Sequence, residues 1–146
     1  MASASATASA SSPAGRFTVQ TTHGIVEVKD AETGLTWKQA NEPGRHNIDG
    51  ALKRCSDLGN GYRLPTSEEL LTLVDSLNAP PPIKRRGAWR TQFGPVDKNL
   101  FPDTTGSYWS SSEPTQMMFH YVAFESDRAI VYGAIGAPGL KVRCVR

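Results

Sequence analysis

No run in this 146-residue chain approaches the roughly 18 unbroken apolar residues that a membrane-crossing helix needs, so membrane insertion is not expected. Histidine is scarce, with only His23, His46 and His120. There is no G-x-S-x-G elbow and no glycine-rich phosphate loop ahead of a helix, which argues against the common nucleophilic and nucleotide-dependent chemistries. No catalytic residue and no cofactor is therefore expected, and the protein is read as a non-enzyme. Cysteine is equally sparse. Cys55 and Cys144 lie far apart, lack C-x-x-C spacing, and are not completed by nearby histidines into a four-ligand zinc set. A single distant pair suits a disulfide in an oxidising compartment, where closing a loop of about 90 residues contributes about 4–5 kcal/mol in the chain-entropy model. Two buried thiols in a cytosolic protein are the other reading.

Charge is nearly balanced. A net charge of +2 is too small for a dedicated nucleic-acid binder, and no nucleic-acid partner is expected. The distribution is more telling. Lys84, Arg85, Arg86 and Arg90 fall together in "KRRGAWR", and no acid occurs between Asp75 and Asp97. Without those four, 12 of the 16 basic residues face 14 acidic ones, so the basic character is local.

The opening "MASASATASASSPAG" is almost wholly Ala and Ser and cannot bury enough surface to offset the entropy of ordering it. Residues 1 to about 15 read as a disordered tail, either the linker left after signal cleavage with Met1 added for expression, or a native cytosolic leader. Residues 16–146 read as one domain, a length suited to a single core. "FTVQ" and "GIVEV" alternate as short strands, and Ile25–Val28 and Leu35–Lys38 are expected to pair across the turn "DAETG". Ile48, Ala51, Leu52, Cys55 and Leu58 recur at helical spacing behind Asn47 as N-cap, with Gly59 as a stop. A second helix is announced in "GYRLPTSEELLTLVD", where Thr66 and Glu69 make a capping box ahead of an apolar stripe. It is expected over Ser67–Leu77, stopped by "NAPPP".

Residues 83–105 lack periodicity and read as a long surface loop, a type of segment that often carries function. "SYWSS", "MMFHYVAF", "AIVYGAI" and "LKVRCVR" then form an antiparallel meander. In the last of these Leu140, Val142 and Cys144 share one face, and Lys141 and Arg143 the other. The class is α+β.

The ordered motifs "DAETGLTW", "GYRLPTSEELLTLVD" after Cys55, "LFPDT", "YWSSS" and "VRCVR" resemble the Lcl C-terminal-like domain, over about residues 24–146. The resemblance implies a C-type-lectin-like fold, with an antiparallel sheet, two flanking helices and a long binding loop. It implies a Cys55–Cys144 disulfide and a secreted, periplasmic or cell-surface location. The family takes its name from a bacterial collagen-like adhesin whose domain binds sulfated glycosaminoglycans as a trimer, so an acidic glycan, a host or matrix protein and a homo-oligomer are the partner classes it brings in. The chain departs from the pattern at "KRRGAWRTQFGPVDKN", which reads as an insertion, and at "FHYVAF", where the family commonly carries a Trp.

The candidate ligand-binding residues are Lys84, Arg85, Arg86, Trp89 and Arg90. Guanidinium forks match sulfate and carboxylate, and a Trp face stacks on a sugar ring or a guanidinium. The alternative readings are a loop that serves only solubility, and a protein-interaction or structural surface domain with no sugar ligand. No metal site is expected: "EPG" at Glu42, "SEPT" at Glu113 and "DKN" at Asp97 each lack a full oxygen-ligand set. Trp37, Trp109, Tyr62 and Tyr108 are expected in the core, and the "WSSS" hydroxyls to satisfy buried backbone groups.

Overall fold

The computed structural model describes residues 15–74, 91–112, 119–134 and 139–146. The expected tail falls outside these residues, apart from Gly15. Three strands open the domain: β1 (Phe17–Thr22), β2 (Ile25–Asp30) and β3 (Thr36–Lys38), an antiparallel sheet in the order β1-β2-β3. The β1–β2 connection is tight because His23 and Gly24 both take positive φ, 52° and 79°, the twist a two-residue hairpin turn requires. β2 and β3 pair as expected, with Val28 opposite Trp37.

Helix α1 (Ile48–Ser56) begins where Asn47 predicts, its side chain accepting from Gly50 N–H at 2.7 Å. Helix α2 starts at Ser67 under a complete capping box: Thr66 Oγ1 accepts from Glu69 N–H (3.1 Å), and Glu69 Oε1 accepts from Thr66 N–H (2.8 Å). It covers only Ser67–Leu71, not Ser67–Leu77. The apolar stripe predicts the longer helix, but the chain tightens into i→i+3 turns (Thr72 to Glu69, Leu73 to Leu70, Val74 to Leu71), and Val74 then bridges to Val96. Tertiary pairing ends the helix before the prolines are reached.

The second sheet comprises β4 (Thr91–Phe93), β5 (Gly106–Trp109), β6 (Phe119–Phe124) and β7 (Arg128–Ala134), in the order β4-β7-β6-β5. β4 corrects the expectation of a structureless stretch over residues 83–105: Thr91–Phe93 pair with Arg128–Ile130 at the sheet edge. The architecture is thus a small α+β domain with two antiparallel sheets and two short helices, where the motifs had implied one sheet.

Residues 139–146 join the two sheets. Val145 bridges both Trp37 and Arg63, Leu140 bridges His46, and Lys141 bridges Tyr108 in parallel. These are isolated bridges, so the last segment is not the meander strand its alternation predicts. Two apolar clusters flank it. One lies between the sheets, with Phe101 edge-on to both Phe17 (5.4 Å) and Trp37 (6.5 Å). The other gathers Ile48, Ala51 and Cys55 of α1 around Trp109, Val142 and Cys144.

Candidate functional site

Cys55 and Cys144 meet in that second cluster as a disulfide, with Cα atoms 5.4 Å apart and both residues fully buried. It ties α1 to the C-terminal segment across 89 residues. Trp37, Trp109, Tyr62 and Tyr108 are all core residues, as expected. Three of the four have their polar atom engaged internally: Trp109 Nε1 donates to the His46 carbonyl (2.6 Å), Tyr62 OH donates to Glu27, and Tyr108 OH donates to Asn41 Oδ1 (2.9 Å), while the buried Trp37 Nε1 is without a partner among the described residues. The "WSSS" hydroxyls satisfy backbone as expected, Ser110 donating to the His120 carbonyl (3.0 Å) and Ser111 to that of Leu64 (2.9 Å), while Ser112 accepts from Ser67 N–H (2.8 Å).

Three buried carboxylates hold four of the framework's cations. Asp30 is clasped by both arms of Arg16 (2.9 and 2.8 Å); Glu42 accepts from Lys38 and from Arg54 Nε (2.9 Å). Glu27 receives the fork of Arg146 (2.7 and 2.8 Å), and this pairing, against the opposing effect of burial, pulls its carboxyl down to about 2. Burial alone would raise Asp30, but Arg16 and Thr33 more than offset it and hold the carboxyl below its usual value. Arg63 does the same for Glu69 at the surface.

Arg143 follows a different rule. It is fully buried with no carboxylate partner among its hydrogen bonds, and burial lowers its pKa. Its guanidinium donates instead to the Gln39 carbonyl, the Pro102 carbonyl (3.0 Å) and Thr104 Oγ1 (2.9 Å), with the Phe101 ring 5.4 Å away. It fastens the loop after β3 and the "LFPDT" turn to the last segment. Strand alternation, which sets Arg143 beside exposed-looking Lys141, gives no sign of this.

The predicted ligand residues Lys84, Arg85, Arg86, Trp89 and Arg90 lie outside the described residues. What flanks them in the chain is defined. Val74 is bridged to Val96, and the chain re-emerges at Thr91 as the first residue of β4, opposite Ile130. Ile130, Ala123, Tyr132 and Tyr121 share one face of the sheet by register. On that face runs an aromatic row: buried Trp109 edge-on to Tyr121 (6.4 Å), and Tyr121 stacked on Tyr132 (5.6 Å), which is 36% exposed. Sequence reasoning missed this row, although the alternation Tyr121/Ala123 and Ile130/Tyr132 was there to be read. Of the other oxygen-bearing strings, Glu42 is buried in ion pairs and Asp97 accepts from Asn99 N–H (2.9 Å), while Glu113 lies outside the described residues. Among the described residues no group of three or more His, Cys, Asp and Glu side chains is placed to hold a metal, and no helix is long and apolar enough to cross a membrane.

The fold and its stapled C-terminal segment define a small α+β domain of the class the motifs indicate. The model of the Lcl C-terminal domain family matches residues 26–146, nearly the whole chain, and the chain belongs to that family. No curated protein and no solved structure matches it.

Proposed function

We propose that this is a C-type-lectin-like binding domain, secreted, periplasmic or at the cell surface, that recognises an acidic polysaccharide without catalysis. Lys84, Arg85, Arg86 and Arg90 pair with sulfate or carboxylate groups, and Trp89 adds apolar stacking. The observation that carries the reading is the division of charge. Among the described residues Arg16, Lys38, Lys53, Arg54, Arg63, Arg128 and Arg146 are in ion pairs and Arg143 is buried, and Lys29, Arg45, Lys98 and Lys141 stand apart from one another in the sequence, whereas Lys84, Arg85, Arg86 and Arg90 fall within one short run that has no acid from residue 76 to residue 96. A polyanion is offered a dense group of cations there, with no acid near them in sequence. The stacked Tyr121–Tyr132 pair, on the sheet beside the start of β4, supports an extended contact surface. A disulfide joining helix and last segment supports both the lectin-like fold and an oxidising location.

Heparin is the probe. Binding should be measurable at low salt and weaken at physiological ionic strength, where exposed charges are screened over about 8 Å. Absence of binding at low salt overturns the reading, as does binding indifferent to Arg85→Ala/Arg86→Ala.

A further inference from the structure

The order β1-β2-β3 puts β1 at an edge, and among the described residues no strand pairs with its far side. The ladder decides which groups point there. The His23–Gly24 turn closes on the pair Thr22–Ile25, and at the other end Ala31 N–H donates to the Arg16 carbonyl at 2.8 Å. Antiparallel pairs alternate between those that exchange hydrogen bonds and those that do not. Thr18, Gln20 and Thr22 therefore direct their backbone groups to β2, while Val19 and Thr21 direct theirs outward.

Sheets commonly guard such an edge with Lys, Pro, a bulge or a very short strand. β1 has none of these: "FTVQTT" is uncharged, lacks proline, and runs six residues in unbroken register with β2. It is also anchored on both faces. Val19 packs on the core between the sheets, and Gln20 Nε2 donates to Glu27 (3.2 Å). The result is an extended template that a strand fits.

We propose that β1 pairs antiparallel with β1 of a second copy about a two-fold axis at Gln20, joining two three-stranded sheets into one of six strands. In that register Val19 faces Thr21 of the second copy, and the reciprocal pair forms by symmetry. Both sets of outward N–H and C=O groups are then satisfied. Thr18 meets Thr22, and no like charges face each other. An edge without charge offers a charged peptide no complementary group, whereas it is self-complementary here. Contact through two short strands alone falls below the roughly 1,200 Å² of stable interfaces, so the dimer is weak and concentration-dependent.

The geometry supplies its own test. Gln20 meets Gln20 of the second copy at a non-hydrogen-bonded position, about 4.5 Å between Cα atoms, which is within disulfide reach. Gln20→Cys should form a reductant-sensitive covalent dimer under mild oxidation. Thr18→Cys, on the same strand face but opposite Thr22, should not. Sedimentation velocity from micromolar to millimolar chain should show a reversible dimer, which Thr21→Pro abolishes by removing an outward N–H without touching the β2 ladder. If Thr21→Pro fails to fold, the contrast between the two cysteine variants still decides. A chain monomeric over the whole range overturns the proposal, as does equal cross-linking of both cysteines. So does a Thr21 amide protected from hydrogen exchange independently of concentration, because the edge is then covered from within the chain.

Discussion

Arg143 and Arg146 close the C-terminal segment against buried acceptors, one on loop carbonyls and one on the Glu27 carboxylate. Arg85 and Arg86 belong to the same residue type, in a run that has no carboxylate between Asp75 and Asp97. The contrast shows how little a count of basic residues says about binding. In the framework a guanidinium fixes where distant loops meet, and its charge is spent on that. Only cations without such partners remain to attract a polyanion. Framework arginines that hold such partners should therefore act on stability and leave binding alone, and the arginines of residues 84–90 should do the reverse.

The strongest way to break that division is to loosen the framework as a whole. Opening Cys55–Cys144, by reduction or by substituting both cysteines with Ser, should cost about 4–5 kcal/mol in urea unfolding, because it frees a long loop of the denatured chain. A cost below about 1 kcal/mol would mean that packing around α1 suffices without the staple. Next is Arg143→Met, which keeps apolar volume but strands the Gln39 and Pro102 carbonyls. Each buried acceptor left unsatisfied costs about 1–3 kcal/mol, so a loss of about 2–4 kcal/mol is expected, with heparin affinity unchanged in the folded fraction.

Glu27 sharpens the comparison through pH. Its folded pKa of about 2 lies below the ordinary 4.5, so its stabilisation is fully present above pH 4.5 and is lost as pH falls toward 2. Glu27→Gln should lower stability at neutral pH by about 2–3 kcal/mol, and the difference from the unmodified chain should shrink through that acid window. A difference independent of pH would show that packing, rather than the Arg146 ion pair, matters there. The smallest framework effect is expected from Thr66→Ala, about 1 kcal/mol, since α2 keeps its leucines and loses only the cap.

The sequence was legible wherever chemistry is local. Asn47 and the Thr66/Glu69 box mark helix starts because a side chain three residues away satisfies an orphan N–H. Cys55 on a buried helix face and the serine hydroxyls of "WSSS" were equally readable. What escaped was set by partners far along the chain. The end of α2 depends on Val74 meeting Val96, β4 exists because β7 lies beside it, and Arg143 is buried because loops 39–41 and 104–105 residues away offer it oxygens. Alternation sorts faces, but it fails in a segment enclosed between two layers, where both faces are inside. The predicted ligand residues are legible as composition and as a break in the family pattern.

One charge-matched comparison tests the division most directly. Arg85→Ala/Arg86→Ala and Lys29→Ala/Lys53→Ala remove the same two positive charges, the second pair from exposed framework positions. Heparin affinity at low salt should fall about tenfold or more for the first, roughly 1.4 kcal/mol, and stay near the unmodified value for the second. Both should unfold within about 0.5 kcal/mol of the parent. Equal losses in the two variants would show that heparin senses net charge alone, and would contradict the claim that residues 84–90 form the binding site.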